Sequence, residues 1–250
     1  MRKLLLITLL ISITLFPNVS HATEIPGIPG LNIGLETTDN PADVSVTLQL
    51  IFLLTILSIA PAILILMTCF TRVVVVLSFT RNALATNQMP PNQVIIGLAL
   101  FITFFIMTPV FAEVNDTALQ PYLAGELEQV EALELAAKPF KIFMAKHTRQ
   151  KDLSLFLNYA QIPPPNTIDD IPMTALVPAF AISELKTAFQ IGFMIFIPFL
   201  ILDMIVASVL MSMGMMMLPP VMISLPFKIL LFILVDGWYL IVRSLLISFN

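Results

Sequence analysis

The chain has 250 residues, 58% of them hydrophobic and 11% charged, with a net charge of −4 and a mean hydropathy of +0.96. A soluble domain carries about 25% charged residues, so this composition excludes a water-facing globule and with it a soluble enzyme. Twelve bases against sixteen acids leave no basic block for a phosphate backbone, so no nucleic acid is expected.

The N-terminus has the three parts of a secretory signal: basic Arg2 and Lys3, an apolar core from Leu4 to Phe16, and Ser20-His21-Ala22 with small residues at the cleavage positions. That core is too short to cross a hydrocarbon layer of about 30 Å, so residues 1–22 are expected to be removed; the alternative is a retained short anchor. Residues 23–45 follow as an acidic extracytoplasmic segment carrying Glu24, Glu36, Asp39 and Asp43 without a base.

Residues 46–112 read as a first apolar helical hairpin. The run Val46–Phe70 would span ~37 Å as a helix and Val94–Ala112 ~28 Å, the second starting behind the stop signal Pro90-Pro91-Asn92. Arg72 and Arg81 are the only charges between Val44 and Ala112, and read as loop bases they place the link between the runs on the cytoplasmic side.

Sixteen charged residues then crowd residues 113–187, a polar segment expected on the periplasmic side. Within Gly125–Arg149, Glu126, Glu128, Glu131 and Glu134 come first and Lys138, Lys141, Lys146 and Arg149 last, the order a helix dipole favours. One helix is expected there, or two split at Pro139, with a shorter helix over Lys151–Tyr159 closed by Pro163-Pro164-Pro165. Residues 188–250 read as a second apolar hairpin, with runs Ala188–Met213 and Val221–Phe249 interrupted by Pro198 and Pro226.

Four charges sit inside that second hairpin. Lys228, Asp236 and Arg243 fall within about 80° of one another at 100° per residue, and Asp203 on the preceding run completes two acids and two bases. Ionisable groups at membrane depth pair or mark a transport path; structural charge pairing is expected, an ion relay being the alternative. Glu184 and Lys186, just ahead of the third run, are read as a subunit contact.

Between the last two runs stands Met211-Ser212-Met213-Gly214-Met215-Met216-Met217-Leu218-Pro219-Pro220. Unbranched thioethers adapt to irregular gaps, which suits either core filling or a seal that yields to passing chains. No catalytic motif is present: there is no phosphate loop, nucleophile elbow or zinc-binding helix. Cys69 stands alone within an apolar run, and His21 and His147 lack ligand-spaced companions; a non-enzyme without metal or cofactor is expected.

Long phrases of the chain resemble the FliP family of flagellar type III export-gate proteins: Met67-Thr68-Cys69-Phe70-Thr71-Arg72, Thr80-Arg81-Asn82-Ala83-Leu84, Pro90-Pro91-Asn92-Gln93-Val94, Ser183-Glu184-Leu185-Lys186-Thr187-Ala188-Phe189-Gln190-Ile191-Gly192-Phe193, and Met213-Gly214-Met215-Met216-Met217 through Val235-Asp236-Gly237-Trp238. The resemblance implies an all-α membrane protein of kinked apolar helical hairpins with a helical extracytoplasmic segment. It further implies a hetero-oligomeric export gate at the flagellar basal body in the bacterial inner membrane, with much of the protein on the periplasmic side.

The partners so implied are FliQ-like and FliR-like subunits, further copies of the chain, other export-apparatus proteins, membrane lipid, and unfolded flagellar substrates in transit. Met215, Met216 and Met217 correspond to the family's pore gasket. The alternatives are the equivalent injectisome subunit of virulence secretion and an ion or small-molecule transporter using the intramembrane charges.

Overall fold

The computed structural model describes residues 41–86, 88–215 and 218–249; the expected signal peptide and residues 23–40 lie outside them. Every regular element among the described residues is a helix. In chain order these are α1 (Pro41–Met67), α2 (Phe70–Ala83) and α3 (Asn92–Val114), the last running through a π-turn (Asn115–Leu119) into the short α4 (Gln120–Leu123). Then follow α5 (Gln129–His147), α6 (Gln150–Tyr159), α7 (Met173–Ser212), α8 (Pro220–Leu234) and α9 (Gly237–Ile247). The chain divides inside α1 into two units, residues 1–53 and 54–250; in the first, the described part is helix alone.

Several expected elements appear at their expected places. α3 starts at Asn92 behind Pro91, α6 ends at Tyr159 ahead of the proline triplet, and α5 runs through Pro139 as one helix.

The link between the first two apolar runs is not a loop. Val73–Val76 is a β-branched run with weak helix propensity, yet it lies inside α2 because Val73, Val76, Leu77 and Thr80 are all fully buried at the i, i+3, i+4, i+7 spacing of one helix face. That face packs on α7, the most extensive helix contact of the second unit. At the far end of α2, Arg81 donates to the Pro90 carbonyl at 3.3 Å and to Asn92 Oδ1 at 2.6 Å, which ties the loop to the start of α3.

The second hairpin also departs from expectation. The third run is the C-terminal part of α7, a 40-residue helix that starts at Met173. Such a helix is ~60 Å long, about twice the hydrocarbon thickness, so it joins the charge-rich segment to the apolar one without a break. The fourth run is two helices bent by 61°. The bend falls at Asp236, whose φ is 51°, while Pro226 sits inside α8. Among the described residues two helices are long and apolar enough to cross a membrane, Asn92–Leu123 and Met173–Ser212, or three if the bent α8–α9 pair forms one span.

The main core gathers Cys69, Val73 and Leu77 with Ile95, Ala99 and Met107 of α3, Ala188 and Phe199 of α7, and Phe232 and Leu245 near the C-terminus. A second cluster of Met144, Ile171, Leu176 and Phe180 joins α5 to the first half of α7. Phe189, Phe193, Leu200 and Met204 of α7 remain exposed in the single chain, a continuous apolar surface that only lipid or other subunits can cover.

Candidate functional site

Two polar centres are set into this apolar framework. At the first, Arg72 of α2 donates from Nε to Glu184 Oε2 of α7 at 3.0 Å and from Nη2 to Oε1. The pair is bidentate, with side-chain exposures of 4% and 0%. Nη1 donates to the backbone carbonyl and the hydroxyl of Ser248, both at 3.0 Å, and the guanidinium lies 3.8 Å from the centroid of the Phe249 ring. Beside it, Ser183 Oγ donates to Asp152 Oδ2 at 2.7 Å and accepts the Arg149 N–H at 3.1 Å, while Arg149 pairs with Asp152 at 2.5 Å. Burial acts to raise the Asp152 carboxyl, but Ser183 and Arg149 outweigh it and hold the group below the usual carboxylate range.

His147 closes this centre. Its ring centroid lies 4.9 Å from that of Phe143 and 5.2 Å from that of Phe249. Burial, reinforced by the charges of Arg72 and Lys146, pushes its pKa down to about 4, so the imidazole is neutral at pH 7. Cys69 is fully buried, in the way of a packing residue. No three His, Cys, Asp or Glu residues converge as metal ligands among the described residues.

This centre corrects the reading of Arg72 as a loop base. Arg72 lies in an apolar helix and touches Glu184, so the two stand at one level of the fold. The positive-inside count, which put them on opposite sides, therefore loses one of its two bases. Glu184 spends its carboxylate inside its own chain, and of the expected Glu184–Lys186 contact only Lys186 is exposed. The signal that could have found the pair is an isolated base in one apolar run and an isolated acid beside another, each needing a partner at that depth.

The second centre lies between α7 and α8. Lys228 Nζ donates to Asp203 Oδ2 at 2.7 Å and Ser224 Oγ to Oδ1 at 2.5 Å. Lys228 is 2% exposed and Asp203 20%. Two of the four predicted charges are thus brought together. Asp236 and Arg243 are exposed and form no ion pair with described residues, because the bend at Asp236 ends the helical periodicity that aligned them with Lys228.

The pair sits ~12 Å along the helices from the turn that joins them. There α7 ends at Ser212, Gly214 takes φ 74°, and Pro219 caps α8. Met211, Met213 and Met215 are 64%, 62% and 43% exposed, so the methionines are not core filler within the single chain. Met216 and Met217 lie outside the described residues.

The FliP family model matches residues 53–245. The chain is similar to the flagellar biosynthetic protein FliP of Bacillus subtilis, at 68% identity over 217 residues covering 87% of this chain and 98% of that protein. The protein of the same name from Pectobacterium carotovorum is 53% identical over 94% of this chain and 90% of its own length. That from Aquifex aeolicus is 52% identical over 82% and 86%.

Proposed function

The chain belongs to the FliP family, and from that premise we propose that this subunit of the flagellar export apparatus forms, with partner subunits, a channel for unfolded flagellar proteins across the bacterial inner membrane. The observation that carries the reading is the Met-rich turn: exposed thioethers at the tip of two apolar helices, braced behind by Asp203, Lys228 and Ser224. Soft, unbranched side chains close around whatever occupies a gap and yield when it moves. Copies of the turn arranged around an axis make a gasket of Met215, Met216 and Met217.

FliQ-like and FliR-like subunits, together with further copies of this chain, cover the exposed apolar faces of α7 and α8; Lys186 adds a subunit contact. Residues 113–187 stand on the periplasmic side, and residues 1–22 direct the chain there. The relatives' flagellar names favour this branch over virulence secretion. The mutual pairing of Asp203 and Lys228 favours a structural role over an ion relay.

The test is the triple variant Met215→Ala, Met216→Ala, Met217→Ala in the assembled complex. Ion leak across proteoliposomes is expected to rise several-fold while assembly persists. A leak equal to that of the wild type, with normal export, overturns the gasket.

A further inference from the structure

A cavity of about 310 Å³ lies among α3, the last turn of α5 and the end of α9. Most of its apolar lining comes from four residues of α3, Phe105 to Val110, the rest from Phe143 of α5 and from Leu246 and Phe249. Its polar lining, Lys146 and His147, comes from a single turn of α5 and is therefore confined to one place. The volume falls at the lower end of the ~300–1,000 Å³ range of ligand pockets.

The two linings belong to different environments. The α3 residues lie inside one of the helices long and apolar enough to cross a membrane, and Phe105 is 70% exposed there. Lys146 and His147 belong to the charge-rich segment. An apolar wall and a cationic end therefore meet in one cavity.

Its charge is uncompensated. Lys146 is exposed and makes no ion pair or hydrogen bond with described residues. The two buried acids of this end of the fold are already engaged, Glu184 with Arg72 and Asp152 with Arg149. His147 beside it is held neutral mainly by burial, with Arg72 and Lys146 adding to the effect, and a neutral imidazole still offers one N–H donor.

We propose that this cavity binds an anionic phospholipid of the surrounding bilayer, one acyl chain lying against the α3 wall and the phosphate on Lys146. A membrane-crossing wall is bathed in acyl chains, and an unpaired lysine at the polar end selects the headgroup by charge. The bound lipid joins α3, α5 and the C-terminal end of the chain, the three elements that meet beside Arg72.

The test uses the full chain in nanodiscs of phosphatidylglycerol or phosphatidylcholine with identical acyl chains, followed by native mass spectrometry of retained lipid. Wild-type protein is expected to retain phosphatidylglycerol about fivefold better, the discrimination one lysine near a lipid surface supplies. Lys146→Ala should bring the ratio to parity, while Lys151→Ala, which removes the same charge from the neighbouring helix, should leave it unchanged. Equal retention of the two lipids by the wild type, or a preference that survives Lys146→Ala, overturns the site. A photo-crosslinking residue at Phe105 reads the occupant directly in the assembled complex. A lipid adduct is expected, and an adduct to a second copy or to a partner subunit overturns the proposal.

Discussion

Arg72–Glu184 and Asp203–Lys228 each join one acid and one base through α7, but their surroundings differ. Around Arg72 every nitrogen of the guanidinium has an acceptor, both Glu184 oxygens are occupied, and an aromatic ring covers the cation. Around Asp203 the pair is monodentate, a serine adds one bond, and the acid keeps 20% of its side chain exposed. A buried pair recovers its desolvation cost only when its geometry is complete. The first pair meets that condition within one chain. The second is left open, and Leu200 and Leu231, one turn from Asp203 and from Lys228, are exposed as well. One pair is completed within the chain, and the other, on the function proposed above, is completed by the assembly.

The largest expected effect follows from breaking the first pair. Arg72→Ala leaves Glu184 buried without its partner and releases Ser248 and Phe249; a loss of about 3–5 kcal/mol is expected, read as a fall in melting temperature of the purified full chain. The double variant Arg72→Met, Glu184→Leu should recover most of it. If Arg72→Ala melts with the wild type, the pair does not hold the protomer together.

Next in size is a change that touches no charge. A Cβ at Gly192 would stand 2.6 Å from Phe79 Cγ, where α7 packs on α2 and Phe79 lies edge-on against Phe189 at 5.2 Å. Gly192→Val is expected to cost about 2–3 kcal/mol by overpacking and to loosen Arg72 from Glu184 indirectly. Unchanged protease resistance of α2 would show that the contact has slack.

Asp203→Asn should cost the isolated chain less, about 1–2 kcal/mol, since Asn keeps the Ser224 hydrogen bond and Asp203 is partly open to its surroundings. Its larger effect is expected on recovery of the hetero-oligomer after extraction. A fully assembled complex that fails to export would instead point to a relay and overturn the division between protomer and assembly.

The same contrast decides what was legible beforehand. Helices whose signals are local could be read from the residues: α3 behind Pro91, α5 with its acid-to-base order, α6 ahead of its prolines, and Asp203 with Lys228, two charges too deep in apolar runs to stay single. What escaped depends on non-local contact. Val73–Val76 is helical only because α7 buries one face of it, and Arg72 is a core residue only because Glu184, more than a hundred positions away in sequence, meets it. The stripe through Lys228, Asp236 and Arg243 assumed one unbroken helix. The left-handed backbone at Asp236 ends it, and although Gly237 follows, no single residue type announced the break. α7 began earlier than its hydropathy suggested because Glu184 and Lys186 looked like an end of the apolar run, whereas one is satisfied internally and the other lies on the outer face.

The smallest effect tests the first centre through pH. An unfolded histidine titrates near 6.5, and His147 in the folded chain titrates at about 4, so on acidification the unfolded state takes up the proton first. Stability from this group is therefore complete above pH ~6.5, declines between ~6.5 and 4, and levels off below that. A displacement of this size corresponds to at most about 3 kcal/mol; the ring is only partly buried, and solvent screening brings the expected loss nearer to about 1 kcal/mol. His147→Phe keeps a ring between Phe143 and Phe249 and removes the proton, so its melting temperature should fall less than the wild type's across this window. Asp152 does not confuse the result. Its carboxyl is depressed, so its contribution is present above the ordinary carboxylate pKa of about 3.9 and is lost only as the pH falls below that, through the folded value. Parallel curves for wild type and His147→Phe between pH 6.5 and 4.5 would mean that His147 is not held neutral by the packing around Arg72, and that this centre is as open to water as the one at Asp203.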